Sequence, residues 1–228
     1  MKNILSYRAL GVVLLTLICS LVTLSAQATH FRFGHFSWEH RPDVAPNAVD
    51  FKLEVAYRRS FFGNPSIGQT FRPGSFNFGD GTSAAFDFEV IAFNAQEDWI
   101  VGRAITQGLE PGVVRHIYKF PNNGTGKPWV ANLYSNARIS TLQNSANSYY
   151  RVSTSIDLSE GNSSPVSSLA PIVTCPRGAC RFLVPAIDKN GDALKFRLAA
   201  KSESAITRLP SGLTIDSRSG LIDWSDST

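Results

Sequence analysis

The sequence has few cysteines and no long apolar segment beyond its first 28 residues. Three of its 228 residues are cysteine, and one of them, Cys19, falls in that N-terminal segment. Further along the chain, no stretch has the i, i+3, i+4, i+7 apolar spacing of an amphipathic helix. None has the roughly 20 apolar residues of a membrane-spanning helix either. These absences exclude a helical bundle, a parallel α/β fold and a multispanning membrane protein.

The positive charge of the chain is too small and too scattered for a nucleic-acid-binding protein. The sequence has 22 Lys and Arg and 18 Asp and Glu, which gives a formal charge of +4. Lys2 and Arg8 lie in the N-terminal segment, so the rest of the chain has 20 minus 18, or +2. No arginine-rich run or basic stripe accompanies this charge. We therefore expect no nucleic-acid partner.

Residues 1–28 are typical of a secretory signal peptide. A basic start is followed by an apolar stretch from Ala9 to Leu24, and Ala26-Gln27-Ala28 fits the small-x-small rule for signal peptidase. Polar residues interrupt the apolar stretch, which disfavours the alternative of an uncleaved membrane anchor. The sequence predicts a secreted or cell-surface protein that contacts the membrane only through this segment or through an anchor outside this sequence.

The apolar residues of the remaining chain alternate with polar ones, which is typical of half-buried β-strands. Glycine, asparagine and proline clusters separate these stretches and supply the backbone conformations that tight turns require. Short strands at this spacing predict an all-β protein built from tandem Ig-like β-sandwich modules. The alternating residues are Phe31 and Phe33; Phe51, Leu53, Val55 and Tyr57; Phe86, Phe88 and Val90; and Val152, Thr154, Ile156 and Leu158.

A change in composition predicts a boundary between two modules. A run rich in Ser, Asn and Pro begins at about residue 159 and has no hydrophobic periodicity. We place a β-sandwich at residues 29–161 and a second β module at residues 162–228. Because an Ig-like sandwich needs about 100 residues, we expect the second module to be incomplete and the chain to be a fragment of a longer protein.

Two cysteines remain after the signal segment, and we expect them to be joined. Cys175 and Cys180 bracket four residues in a chain directed to an oxidising compartment, which predicts a disulfide. A zinc site would need further Cys or His ligands, and the last histidine of the sequence is His116.

Residues 184–224 resemble the cadherin-like, Ig-type repeats of surface proteins. The segment VPAIDKNGDALKFRLAAKSESAITRLPSGLTIDSRSGLIDW is similar to the acidic turn, strand and LPxGLxIDxxTGxIxW ending of those repeats. Lys189, Asn190 and Ser219 depart from the usual pattern. The resemblance implies a surface protein of tandem β-sandwiches with roles in adhesion, and neighbouring repeats as partners.

Three upstream segments resemble a diverged PKD-type repeat. FNFGDGT at residues 76–82 matches the hairpin of such repeats, HIY at residues 116–118 matches a following strand, and WVANLYS at residues 129–135 matches the final strand. The resemblance implies one β-sandwich for residues 29–161, hence the description PKD-like. Independently of any family, the glycines around Asp80 predict a hairpin that places Phe76 and Phe78 on one face.

Asp188, Asn190 and Asp192 are the candidate metal ligands of the sequence. Their oxygen-bearing side chains alternate around Gly191, and Ca²⁺ binds six to eight oxygens. Three oxygens are too few, so further ligands would come from residues 157–162 or from a neighbouring module. A calcium site that stiffens the joint between modules is one interpretation of this segment, and an ordinary solvated turn is the other.

The sequence favours binding over catalysis. It contains no GxSxG or HExxH motif, and no residue is assigned a catalytic role. We expect a non-enzymatic secreted or cell-surface adhesion protein whose partner is a surface protein or a glycan. The alternative is a carbohydrate-binding accessory module, which would be favoured if Trp38, Trp99 or Trp129 were exposed in a coplanar row.

Overall fold

The computed structural model describes residues 30–142, 144–168, 172–173, 175 and 180–224. The predicted signal peptide, residues 1–28, lies outside these residues. In the ranges that are described, no helix has both the length and the apolar character needed to cross a membrane.

The regular secondary structure of the described residues is almost entirely β-strand, which confirms the all-β prediction. They include one turn of 3-10 helix at Ser60–Phe62 and one short helix, α1, at Lys201–Ser204. The strands are β1 (Phe31–His40), β2 (Ala48–Arg58), β3 (Thr70–Phe71), β4 (Ser75–Asn77), β5 (Ser83–Ala85), β6 (Asp87–Asn94), β7 (Trp99–Ile105), β8 (Val113–Ile117), β9 (Trp129–Ser135), β10 (Tyr150–Ile156), β11 (Val166–Ser167), β12 (Cys180–Leu183), β13 (Ala186–Ile187), β14 (Leu213–Ile215) and β15 (Leu221–Trp224).

Strands β1 to β10 form two antiparallel sheets. The larger sheet has the order β1-β2-β7-β6-β3, and β8 also pairs with β2; the smaller sheet has the order β10-β9-β4-β5. The long strand β2 pairs with β8 through its first half and with β7 through its second half. The change occurs at Leu53, whose N–H donates to the Gly112 carbonyl at 3.1 Å.

The core of the first unit, which consists of strands β1 to β10, lies between these two sheets. The alternating residues of β2 are almost completely buried, because Phe51, Val55 and Tyr57 are 0% exposed and Leu53 is 2% exposed. The smaller sheet contributes the other side of the core. Its buried members include Phe76, Phe78, Ala131, Leu133, Tyr150 and Ile156.

A pair of tyrosines joins the two sheets inside the core. The Tyr57 hydroxyl on β2 and the Tyr150 hydroxyl on β10 lie 2.7 Å apart in a hydrogen bond, and Phe31 stacks on Tyr150 with ring centroids 3.6 Å apart. Burial raises the pKa of Tyr150 to about 12 and also raises the pKa of Tyr57. Both phenols therefore stay neutral at physiological pH, and their hydrogen bond satisfies two buried polar groups.

The predicted hairpin around Asp80 is present as β4 and β5. Asp80 Oδ1 accepts hydrogen bonds from the Thr82 N–H at 3.0 Å and the Thr82 hydroxyl at 2.6 Å. Phe76 and Phe78 are both buried, at 3% and 5% exposure. The turn therefore projects two aromatic rings into the core, as the sequence predicts.

The second unit consists of strands β11 to β15, which form sheets of two and three strands. β11 pairs with β13, and β14 and β15 form a hairpin, with β12 on the other side of β15. Cys175 and Cys180 form a disulfide with a Cα–Cα distance of 5.0 Å, as predicted. The boundary between residues 161 and 162 stays a prediction.

Candidate functional site

Residues 162–167, the junction segment, run along the free edge of strand β1. The Trp38 N–H donates to Ser164 Oγ at 2.7 Å, and the Ser164 N–H donates to the Trp38 carbonyl at 2.9 Å. The His40 N–H donates to Ser163 Oγ at 3.3 Å. An uncovered strand edge would leave unpaired backbone groups that invite pairing with another chain. The junction segment satisfies part of this edge.

Two side chains of β1 make further contacts near the junction segment. His35 Nε2 accepts the N–H of Ser167 in that segment at 3.1 Å, and the Trp38 indole N–H donates to the Ser155 carbonyl of the neighbouring strand β10 at 2.8 Å. Burial lowers the pKa of His35, which keeps its ring neutral and able to accept this bond. His35 and Ser167 line a small cavity, and the charged side chains that also line it are Lys52, Glu54 and Arg103.

Residues 188–192, the acidic turn, form a tight reversal. Gly191 has a φ of 83°, in the left-handed region that favours glycine. Asp188 Oδ1 accepts the N–H groups of Asn190 at 2.8 Å and Asp192 at 3.2 Å. One carboxylate oxygen of Asp188 therefore organises the turn.

The acidic turn is docked on the junction segment. Asn162 Nδ2 donates to Asp192 Oδ2 at 2.9 Å, and the Ser163 N–H donates to Asn190 Oδ1 at 3.2 Å. The Lys189 ammonium forms an ion pair with Glu39 of β1. The structure thus places all three predicted ligands of the turn beside the joint between the units.

Calcium binding at the acidic turn stays a prediction. Asp188, Asn190 and Asp192 lie on one turn, and the direct contacts above already use one side-chain oxygen of each. Among the residues that the structure describes, no group of three or more His, Cys, Asp and Glu side chains could hold a metal ion.

A histidine–aspartate contact links the hairpin at Asp80 to strand β8. His116 Nε2 lies 2.7 Å from Asp80 Oδ2, and the imidazole stacks on Phe78 with ring centroids 4.0 Å apart. Burial opposes ionisation of Asp80, but hydrogen bonds from Thr82 and His116 outweigh it, so the pKa of Asp80 lies below its ordinary value. The Tyr118 hydroxyl donates to the Phe78 carbonyl at 2.7 Å. This contact brings together two of the segments that resemble a PKD-type repeat.

A charge cluster that the sequence did not predict lies on the outer side of the larger sheet. Asp50 is 5% exposed and accepts hydrogen bonds from Arg115 at 2.6 and 2.8 Å and from Arg41 at 2.6 Å. The Arg115 guanidinium, and then Arg41, hold the pKa of Asp50 below its ordinary value against the opposing effect of burial. A carboxylate inside an alternating strand was the available signal, but nothing local indicates its partners.

The tryptophans do not form an exposed coplanar row. Trp38 is 6% exposed. Trp99 and Trp129 are half-buried and donate their indole N–H groups to Glu97 and to the Phe120 carbonyl. The condition that would favour a tryptophan platform for sugars is therefore not met.

Two exposed tyrosines form a stacked pair on the smaller sheet. Tyr134 of β9 and Tyr149, just before β10, are 46% and 49% exposed and stack with ring centroids 5.2 Å apart. The Arg151 guanidinium lies 4.9 Å from the centre of the Tyr134 ring. These tyrosines could not be predicted as a site from the sequence, because alternation alone does not tell which face of β9 is covered.

The first unit matches a known protein family. The N-terminal domain of integrin beta-like proteins A to E matches residues 32–159, more than half of the chain. The chain belongs to this family. Three similar relatives are integrin beta-like proteins A, B and C of Dictyostelium discoideum, which are 31%, 28% and 32% identical to this chain.

The integrin beta-like relatives are much longer than this chain. Their alignments cover 92%, 96% and 90% of the chain but 11% of each relative, so the chain spans about a tenth of their length. No solved structure matches the chain.

The family match over residues 32–159 covers the side-chain clusters of the first unit but not those at the joint between the units. Asp50, Asp80 and His116 lie inside residues 32–159, whereas the junction segment and the acidic turn follow them. The alignments with relatives A to C cover at least nine tenths of the chain and therefore extend into the second unit. The family is thus an integrin beta-like one, and the narrower cadherin-like and PKD-type resemblances stay predictions.

Proposed function

We propose that this chain is a non-enzymatic adhesion domain that acts outside the cell or at its surface. The match of residues 32–159 to the N-terminal domain of integrin beta-like proteins is the observation that supports this proposal most directly. The predicted signal peptide and the Cys175–Cys180 disulfide fit an extracellular location. A surface protein or a glycan is the partner class.

The junction between the units supports the proposal mechanically. An adhesion domain must present its binding surface at a defined orientation, because a loose joint adds an entropic cost to binding. Ser164 is held by Trp38, and Lys189 by Glu39. These two contacts restrain the second unit against the first, and the Asn162–Asp192 hydrogen bond ties the acidic turn to the junction segment.

Beads coated with the full chain test the adhesion proposal. We expect such beads to attach to cells of the producing organism, and we expect soluble folded chain to compete for the attachment. Beads coated with heat-unfolded chain provide the control for nonspecific sticking. Equal attachment of folded and unfolded coatings would contradict the proposal.

We further propose that the acidic turn binds Ca²⁺. Asp188 and Asp192 each use one carboxylate oxygen in the described hydrogen bonds, at Oδ1 and Oδ2 respectively, and the other oxygen has no protein partner in the described part of the chain. Two such oxygens beside the junction suit an ion that prefers carboxylate ligands. The bound ion would stabilise the joint between the units.

Thermal unfolding of the full chain in Ca²⁺ and in EDTA checks this proposal. For a Kd of about 0.1 mM, 10 mM Ca²⁺ is about 100 times Kd and raises the free energy of unfolding by about 2.7 kcal/mol. We expect Asp188→Asn and Asp192→Asn to abolish this increase. Asp216→Asn, in another turn of the same unit, is the matched control and should retain it. Identical unfolding curves with and without Ca²⁺ would refute calcium binding.

A further inference from the structure

Tyr134, Tyr149, Arg151 and Lys201 form a surface that we call the tyrosine platform. Tyr134 on β9 and Arg151 on β10 are directly opposite each other in the register of the smaller sheet. Cross-strand partners lie on the same face of a sheet, and Tyr134 is 46% exposed. The platform therefore lies on the outer face of the smaller sheet, away from the core.

Both units form the walls of a cavity at the tyrosine platform. The cavity has a volume of about 730 Å³, within the usual range of small-ligand sites. One wall is the smaller sheet, and the other is the segment that contains α1. Besides the platform itself, the lining consists of Ser148, Ala200, Ser202, Ala205 and Thr207.

The charges at the cavity have one sign. Arg151 and Lys201 are the charged side chains among its described lining residues, and no carboxylate in the described part of the chain forms an ion pair with either of them. Most other arginines of the first unit are neutralised by acidic partners. Arg41, Arg58, Arg72, Arg103 and Arg115 all have such a partner.

The platform is held in place before any ligand binds. The Arg151 guanidinium donates from Nη1 to the Ser202 carbonyl at 2.7 Å while it lies over the Tyr134 ring. Tyr149 stacks against Tyr134 with the two rings 5° from parallel. A guanidinium and two rings that are already fixed lose little conformational entropy when they bind a ligand.

We propose that the tyrosine platform binds an acidic polysaccharide. The C–H bonds of a pyranose ring bear partial positive charge, which is attracted to the negative face of a tyrosine ring. The carboxylate or sulfate group of such a sugar would bind Arg151 and Lys201, since a guanidinium pairs with these anions through two hydrogen bonds. The hydroxyls of Ser148, Ser202 and Thr207 suit the hydroxyls of a sugar.

The same surface is less suited to an acidic peptide. An extended peptide binds most readily by adding a strand to a free sheet edge. Strand β10 is the edge of its sheet, but β1 packs beside it, and the Trp38 indole already donates to the Ser155 carbonyl of that strand. The platform therefore offers side chains rather than a free backbone edge.

The inference of an acidic polysaccharide ligand rests on the proposed adhesion function, for which it specifies the class of partner. We would test this inference by measuring the binding of the full chain to heparin, polygalacturonate and neutral dextran at physiological salt. We expect heparin and polygalacturonate to bind and dextran not to bind. Tyr149→Ala keeps the net charge and should weaken binding at least about tenfold, because hot-spot interfaces depend on a few aromatic and arginine residues. Arg151→Gln should weaken it as well.

Phe93→Ala is the matched control for the tyrosine variant. Phe93 is an exposed ring with the Arg59 guanidinium 4.5 Å from its centre, but it lies in the larger sheet. Its replacement should leave polysaccharide binding unchanged. Equal loss in Phe93→Ala and Tyr149→Ala would overturn the assignment to the platform, and so would unchanged binding by Tyr149→Ala. Failure of both acidic polysaccharides, or binding of polyglutamate in their place, would overturn the choice of ligand.

The bead assay separates this inference from the function on which it rests. Beads coated with the Tyr149→Ala chain that attach to cells as well as wild-type beads would leave the adhesion function standing and would contradict the polysaccharide partner. Binding of purified heparin or polygalacturonate without any attachment of beads to cells would support the platform and would contradict the adhesion function.

Discussion

Gly79→Ala is expected to lower the free energy of unfolding by about 3 kcal/mol, because it combines backbone strain with overpacking. Gly79 has a φ of 89°, in the region that disfavours residues with a Cβ atom. A Cβ at this position would lie 2.6 Å from the Val130 carbonyl oxygen and 2.8 Å from its backbone nitrogen. These are backbone atoms of a paired strand, so they cannot move aside as a flexible side chain would.

Gly81→Ala separates the two causes of the Gly79 effect. Gly81 has a similar φ of 91°, but nothing lies within 4 Å of the position that its Cβ would occupy. Gly81→Ala should therefore lower the stability by the backbone term alone, about 1–2 kcal/mol. Urea unfolding of both variants measures the difference. Equal destabilisation by the two substitutions would show that the approach to Val130 costs nothing.

Asp50→Ala should lower the free energy of unfolding by about 2–3 kcal/mol, because it removes charge-assisted hydrogen bonds and leaves the Arg115 guanidinium without its ion-pair partner, whereas Arg41 keeps its ion pair with Asp43. Arg41 and Arg115 remain partly exposed, with 31% and 28% side-chain exposure, so water can stabilise them in part. This exposure keeps the effect below that of a fully buried ion pair.

Asp87→Ala is the matched control for Asp50→Ala. Asp87 accepts two hydrogen bonds of 2.8 Å from Arg72, but the two side chains are 47% and 60% exposed. Exposed ion pairs are screened by water and contribute little to stability. Urea unfolding should show an almost unchanged midpoint for Asp87→Ala. An effect as large as that of Asp50→Ala would mean that burial is not the cause.

The contribution of Asp50 to stability also depends on pH. Its pKa in the folded chain lies below the ordinary value of 3.8, because Arg115 and Arg41 favour the carboxylate. A group with a lowered folded pKa stabilises the fold at pH values above its ordinary pKa, and this contribution is lost as the pH falls through the folded pKa. The difference in stability between wild type and Asp50→Asn should therefore shrink when the pH is lowered from 5 to below 3.8.

Local patterns in the sequence predicted much of the fold. The alternation of β2 placed Phe51, Leu53, Val55 and Tyr57 in the core, because successive side chains of a strand point to opposite faces. The turn at Asp80 was equally predictable, since an aspartate between two glycines needs nothing beyond its own neighbours to form a reversal.

The candidate site was predictable only in part. The acidic turn was recognised from Asp188, Asn190 and Asp192, but the sequence did not indicate that Asn162 and Ser163 would bind two of these side chains directly. The family was also not recognised from the motifs, which indicated cadherin-like and PKD-type repeats. A motif of a few residues describes a turn or a hairpin, whereas the family match extends over residues 32–159.

The sequence by itself determined the all-β class, the hairpin β4–β5 and the cysteine pair, because each depends on residues close together in the chain. The tertiary structure decided which distant groups meet. His116 contacts Asp80 from 36 residues away, and Arg115 contacts Asp50 from 65 residues away. It also decided that Trp38 is buried while Tyr134 is exposed. These outcomes depend on which strands pair and which faces of the sheets are covered. The alternation of apolar and polar residues within one strand indicates neither.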